Sequence, residues 1–124
     1  MVQLGTLEKV KDLRKVWKHE ALDFTKWLAE EENLELLGRE VGIDMELIGT
    51  EVRTGSFPTD ILALDSNTED KIIIENQLGT TDHNHLGKVI TYASGHDAKT
   101  IIWLVRKVRE EHRRAVDWLN DHTD

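Results

Sequence analysis

Between residues 45 and 78 the apolar positions recur with a period of two, in three runs separated by short polar turns, and this stretch restricts the fold more than any other. Residues 45–53 read as a strand of mixed polarity. Thr54-Gly55-Ser56 is a turn signal, and residues 58–64 form a second strand with Pro58 at its allowed first position. The hydrophilic run 65–70 is another turn, and residues 71–78, rich in β-branched side chains, form a third strand. Three runs joined by short turns predict an antiparallel meander. On either side the period changes. Leu13, Val16, Trp17, Ala21, Phe24, Trp27 and Leu28 recur at steps of three and four, which is a helical stripe. Leu34–Leu37 either extend that helix or form a short one of their own, and Gly38 and Gly42 are expected to break the pattern. Thr81 or Asp82 can cap a second helix carrying Leu86, Val89, Ile90 and Ala93, ended near Gly95. A fourth strand (100–105) and a third amphipathic helix (108–120) follow. The order α–β–β–β–α–β–α predicts an α/β (α+β) fold, a mixed central sheet flanked by helices.

The chain has 124 residues, enough for a single domain spanning 1–124. Hydrophobic residues make up 39% and charged residues 32%, a composition that supports a packed core rather than disorder. The longest apolar runs, Ile72–Ile74 and 101–105, are far short of a membrane span, and residues 1–11 alternate apolar and charged types unlike a signal peptide. No cysteine is present, which excludes disulfides, thiolate metal sites and cysteine nucleophiles and fits a cytoplasmic location. The net charge of −8 argues against coating nucleic acid by charge alone. It is compatible with acids gathered around a divalent cation that supplies the positive charge. The basic clusters 9–18 and 106–114 read as solvated helix faces.

Three carboxylates fall where burial is expected. Asp60 interrupts an apolar strand, Glu75 ends the run Ile72–Ile74, and Glu20 lies in the helical stripe between Trp17 and Phe24. A buried charge costs on the order of several kcal/mol unless compensated. A shared divalent cation is a compensation that also does chemistry. Asp60 and Glu75, on consecutive strands, can lie side by side, and alternation puts Gln77 on the same face as Glu75. The Asn76 backbone carbonyl between them can also face a cation. Mg²⁺ (or Mn²⁺) suits such oxygen donors, and a water on it can attack a phosphodiester.

The segment Gly55-Ser56-Phe57-Pro58-Thr59-Asp60, followed by Ile73-Ile74-Glu75-Asn76-Gln77, resembles the PD-(D/E)XK nuclease superfamily. In that superfamily an Asp on one strand and an E-x-K tripeptide on the next hold the metal, often with an acid on the preceding helix, which Glu20 matches by position. The stretch from Asp82-His83-Asn84-His85-Leu86-Gly87-Lys88 to Tyr92-Ala93-Ser94-Gly95 is similar to an uncharacterised bacterial branch. There the nuclease-like domain precedes a second domain. The resemblance implies a restriction-endonuclease-like core and a Mg²⁺-dependent DNA endonuclease. Asp60, Glu75 and the Asn76 carbonyl would be metal ligands, and Glu20 would orient a ligand or support a second ion. Gln77 replaces the motif lysine. It would position the water, or Lys88 on the following helix would supply the missing cation. The resemblance leaves open a fused C-terminal or partner domain, and a homodimer.

Other readings stand beside this one. A catalytically inactive nuclease-like domain that binds nucleic acid or a partner protein accommodates the E-x-Q motif and the acidic charge. A structural or dimerisation module using the last helix is a third. Glu75 can be a salt-bridged strand residue, and Glu20 can pair with Lys18 or Arg14. Asp82, His83, His85 and His96 invite a zinc reading, but H-E-x-x-H spacing is absent and His83 and His85 diverge by ~200° on a helix. His85 can instead contact phosphate or a leaving group at the site's mouth, and His112 is expected as a hydrogen-bonded core or interface residue. The tryptophans 17, 27 and 103 are expected in the core rather than as base-stacking platforms. No phosphate-binding loop, dinucleotide fingerprint or nucleophile elbow is present.

Overall fold

The computed structural model of the chain describes residues 3–4, 21–54 and 57–123. The Glu20, Trp17, basic-cluster (9–18) and Gly55-Ser56 expectations fall outside them. The elements are β1 (Gln3–Leu4), α1 (Ala21–Leu28), α2 (Glu31–Val41), β2 (Met45–Thr54), β3 (Phe57–Asp65), β4 (Lys71–Thr80), α3 (His83–His96), β5 (Thr100–Lys107) and α4 (Glu110–His122). The five strands form one sheet in the order β1-β5-β4-β3-β2. β2, β3 and β4 pair antiparallel as the expected meander. β4 and β5 pair parallel, which requires a crossover, and α3 provides it. β5 also pairs parallel with the short β1, a strand with no periodic signal. The expected mixed sheet flanked by helices is the observed architecture.

Alternation along the strands divides the molecule into two apolar layers. Ile61, Ala63, Ile72, Ile74, Ile102 and Leu104 face α1 and α2, where they meet Phe24, Leu28, Leu34 and Leu37. Leu62, Ile73, Ile101 and Trp103 face the other way, against Val89, Tyr92 and Ala93 of α3. Each fully buried aliphatic side chain contributes ~1.5–3 kcal/mol, so both helical layers are held by the strands they cover. Trp27 packs at the edge of the first layer and Trp103 within the second, as expected, whereas Trp118 is exposed and stacks on His122.

Leu34–Leu37 belong to a helix of their own. The α1 helix ends where Asn33 Nδ2 donates to the Trp27 carbonyl at 2.7 Å. Contrary to expectation, Gly38 does not break α2 but lies within it. A Cβ there would stand 2.5 Å from the Ile43 carbonyl oxygen, so glycine permits the chain leaving α2 to fold back against the helix. The terminator is Gly42, which caps α2 in the left-handed region at φ 74°. Asp82 caps α3 by accepting the His85 N–H at 2.7 Å. No helix among the described residues is long and apolar enough to cross a membrane.

Candidate active site

The ladder between β3 and β4 runs from Leu64↔Lys71 to Ile61↔Ile74. One step further along, Asp60 and Glu75 face each other, and side chains take over the bonding. The Asn76 N–H donates to Asp60 Oδ2 at 2.8 Å, and the Asp60 N–H points to Glu75 Oε2 at 3.4 Å. Each carboxyl thus reaches across to the other strand's backbone. Asp60 shares its face with Leu62, and Glu75 shares that face with Ile73, so both project toward the α3 layer.

Burial dominates the electrostatics. Glu75 is only 5% exposed. Loss of water, and then the neighbouring Asp60 charge, push its carboxyl from 4.5 up to about 8. Burial likewise raises Asp60, against the lowering effect of the Asn76 N–H and the Glu75 carboxyl, while the Glu51 charge adds to the rise. Two carboxyls in this relation share a proton rather than both ionising. The Lys88 charge favours the ionised form of each. Tyr92 is raised by burial and then by the Glu75 and Asp60 charges, so its hydroxyl also senses the pair.

Gln77 lies on the same face but its amide is engaged elsewhere. Its Oε1 accepts the Trp103 indole N–H at 3.1 Å, and its Nε2 donates to the Thr80 carbonyl at 2.6 Å and to Asp82 Oδ2 at 3.0 Å. Both amide protons are therefore spent on the junction between β4 and α3, which leaves none to orient a water. Asn76 points to the opposite face, where its Nδ2 donates to Thr25 Oγ1 at 2.7 Å, so any part it plays at the pair is through its backbone. Lys88 lies one turn into α3, lining a cavity of about 320 Å³ with His83, Asn84, Gly87, Thr91 and Tyr92. Glu20 lies outside the described residues.

The structure therefore brings together Asp60, Glu75 and Lys88, and adds Tyr92 and Glu51. The strand pattern does not reveal Glu51, which sits on the edge strand β2 in the left-handed region at φ 50° after a register shift between Leu47 and Gly49. His85 turns its Nδ1 to Asp82 Oδ1 at 2.8 Å, and His83 lines the cavity instead. His112 is buried and hydrogen-bonded, as expected.

The donor set suits a hard cation. Among the described residues no group of three or more His, Cys, Asp or Glu is placed to hold a metal. Two converging carboxylates are nonetheless sufficient for Mg²⁺, which keeps several of its waters. The buried pair needs a proton or a cation before both acids can be accommodated.

In fold the chain is similar to a repair endonuclease from Pyrococcus abyssi, with a TM-score of 0.60 at 10% identity, over 88% of this chain and 46% of that one. An EndoMS–double-stranded DNA complex aligns with a TM-score of 0.49 at 14% identity, over 89% of this chain and 46% of that one. The chain thus spans about half the length of either. No family model matches the sequence, and no curated protein matches it.

Proposed function

We propose that this chain is a divalent-cation-dependent nuclease domain of the PD-(D/E)XK type, hydrolysing phosphodiester bonds in DNA in the cytoplasm. The observation that carries the reading is the Asp60–Glu75 pair, two converging acids, Glu75 buried and Asp60 half-buried, with Lys88 acting on both. The shared fold of a repair endonuclease supports it. Asp60 and Glu75 would hold Mg²⁺ or Mn²⁺, with the Asn76 carbonyl as an additional oxygen and Glu20 as an acid beside the site. The bound cation would supply an acidified water and offset charge on the phosphate. In the hydrolysis a water oxygen would form a bond to phosphorus as the bond to the leaving oxygen breaks, the water's proton passing to solvent and the leaving oxygen taking a proton from solvent. Lys88 provides the charge that the motif lysine would otherwise provide, and faces the phosphoryl oxygens. Gln77 is a positioning residue, fixing the N-cap Asp82 of the helix that carries Lys88.

A chain of net charge −8 has little basic surface for a long duplex. A C-terminal partner domain or a second copy would complete the DNA-binding surface.

The test is incubation of the protein with plasmid and single-stranded DNA plus Mn²⁺. Cleavage by the wild type, lost in Glu75→Ala and reduced at least a hundredfold in Lys88→Met, is expected. The second reading, an inactive nuclease-like binder, is favoured by the full engagement of the Gln77 amide. It gains if neither substrate is cut while metal still raises the melting temperature and Asp60→Ala abolishes the rise.

A further inference from the structure

Thr81, His112 and His83 form a hydrogen-bonded chain that the carboxylate pair does not use. Thr81 Oγ1 is buried between β4 and α3, accepts the Arg109 N–H at 2.9 Å, and lies 2.7 Å from His112 Nδ1. His112 Nε2 lies 2.9 Å from His83 Nδ1. His112 is 3% exposed, whereas His83 is open to solvent on the first turn of α3.

The direction of this chain follows from Thr81. Its hydroxyl has one proton, and the Arg109 amide already occupies a lone pair. Donation to His112 Nδ1 satisfies that proton; the reverse direction leaves it without an acceptor in a buried place. His112 then carries its own proton on Nε2 and gives it to His83 Nδ1. The proton of His83 is thereby assigned to Nε2, by the network around it.

His83 and Lys88 line the same cavity. Five residues at ~1.5 Å rise separate them by about 7.5 Å along α3, on the order of two axial steps of a nucleic-acid strand at ~3.4 Å each. We infer that this cavity is a second phosphate subsite, in which the Nε2–H of His83 binds a strand phosphate two steps along from the one at the carboxylate pair. The subsite rests on the nuclease reading. A strand is favoured over a free anion because the chain as a whole is acidic, so a loose phosphate gains little. A phosphate tethered to one held at the pair arrives at high effective concentration. Thr81 and His112 are positioning residues that act through His83.

The test uses the full chain, ¹⁵N-labelled, with Ca²⁺ to hold the strand without turnover. Long-range ¹H–¹⁵N spectra are expected to show His83 protonated on Nε2, with that resonance moving when a short oligonucleotide, single-stranded or as its duplex, is added. Fluorescence anisotropy with the same oligonucleotides is expected to show binding weakened about tenfold in His83→Ala. His112→Phe should weaken it in the same direction, with no further loss in the double variant. His83 protonated on Nδ1 would overturn the inference. So would unchanged affinity in His83→Ala, an exposed site that tolerates substitution, alongside lost binding in Glu75→Ala; that result leaves the nuclease reading intact. A shift of His83 with inorganic phosphate but not with either oligonucleotide would make this a free-anion site and also overturn it. Failure of the wild type to bind either oligonucleotide sinks the nuclease reading and the subsite together.

Discussion

Glu75→Gln should stabilise the metal-free protein above neutral pH and remove its response to metal. The wild-type carboxyl is 5% exposed and titrates at about 8 when folded, against 4.5 when unfolded. Between those values the folded state holds a proton that the unfolded state has released. Stability from this group is therefore fully present below pH 4.5 and is lost as pH rises through about 8. The gap corresponds to ~4 kcal/mol lost by pH 8, at ~1.36 kcal/mol per pH unit. That is a large fraction of the ~5–15 kcal/mol available to a domain. Glutamine keeps the shape and never ionises. The assay is thermal denaturation in EDTA across pH 5–9, comparing wild type with Glu75→Gln so that the other titrating groups cancel. The wild-type melting temperature should fall by on the order of 10 °C relative to the variant across the window. Adding Mg²⁺ at high pH should restore the wild type, since cation replaces proton at the pair, and leave Glu75→Gln unmoved. Parallel curves for the two proteins in EDTA would show that the pair does not share a proton in a dry site.

Gly38→Ala should cost ~2–4 kcal/mol in urea denaturation, since its Cβ meets the Ile43 backbone carbonyl rather than a side chain that can yield; a loss within ~0.5 kcal/mol would show that the α2–β2 connection gives way easily. Asp82→Ala should cost ~1–2 kcal/mol through the lost α3 cap and should also slow DNA cleavage, because the same carboxylate receives Gln77. Unchanged turnover in that variant would separate the cap from the site. Lys88→Met should raise the pH at which the Asp60–Glu75 pair ionises, seen as a steeper fall in metal-free stability at pH 7 to 8 than in wild type, continuing to higher pH.

The meander and the crossover were legible in the sequence because burial on a strand has a period of two that few other structures imitate. Residues 61–63 and 72–75 alternate between two apolar layers, and the acids stand out only because each occupies an inward position. The adjacency of Asp60 and Glu75 followed from short turns and antiparallel pairing. The two-residue β1 gave no signal, since so short a segment shows no period, and its pairing with β5 depends on contacts distant in sequence. Gly38 was misread because a helix tolerates glycine where another chain segment approaches, and only the Ile43 carbonyl shows that need. Glu51 was hidden by the irregular register of an edge strand. The Thr81–His112–His83 chain links residues about thirty apart along the sequence, which spacing alone does not connect.

A lysine in place of Gln77 would install a side chain with three donors and no acceptor, and so nothing to receive the Trp103 indole proton. The newcomer would also crowd a helix end already pinned by Asp82. That exchange would therefore loosen the start of the helix that carries Lys88, so the amide at position 77 and the placement of that ammonium are linked through Asp82.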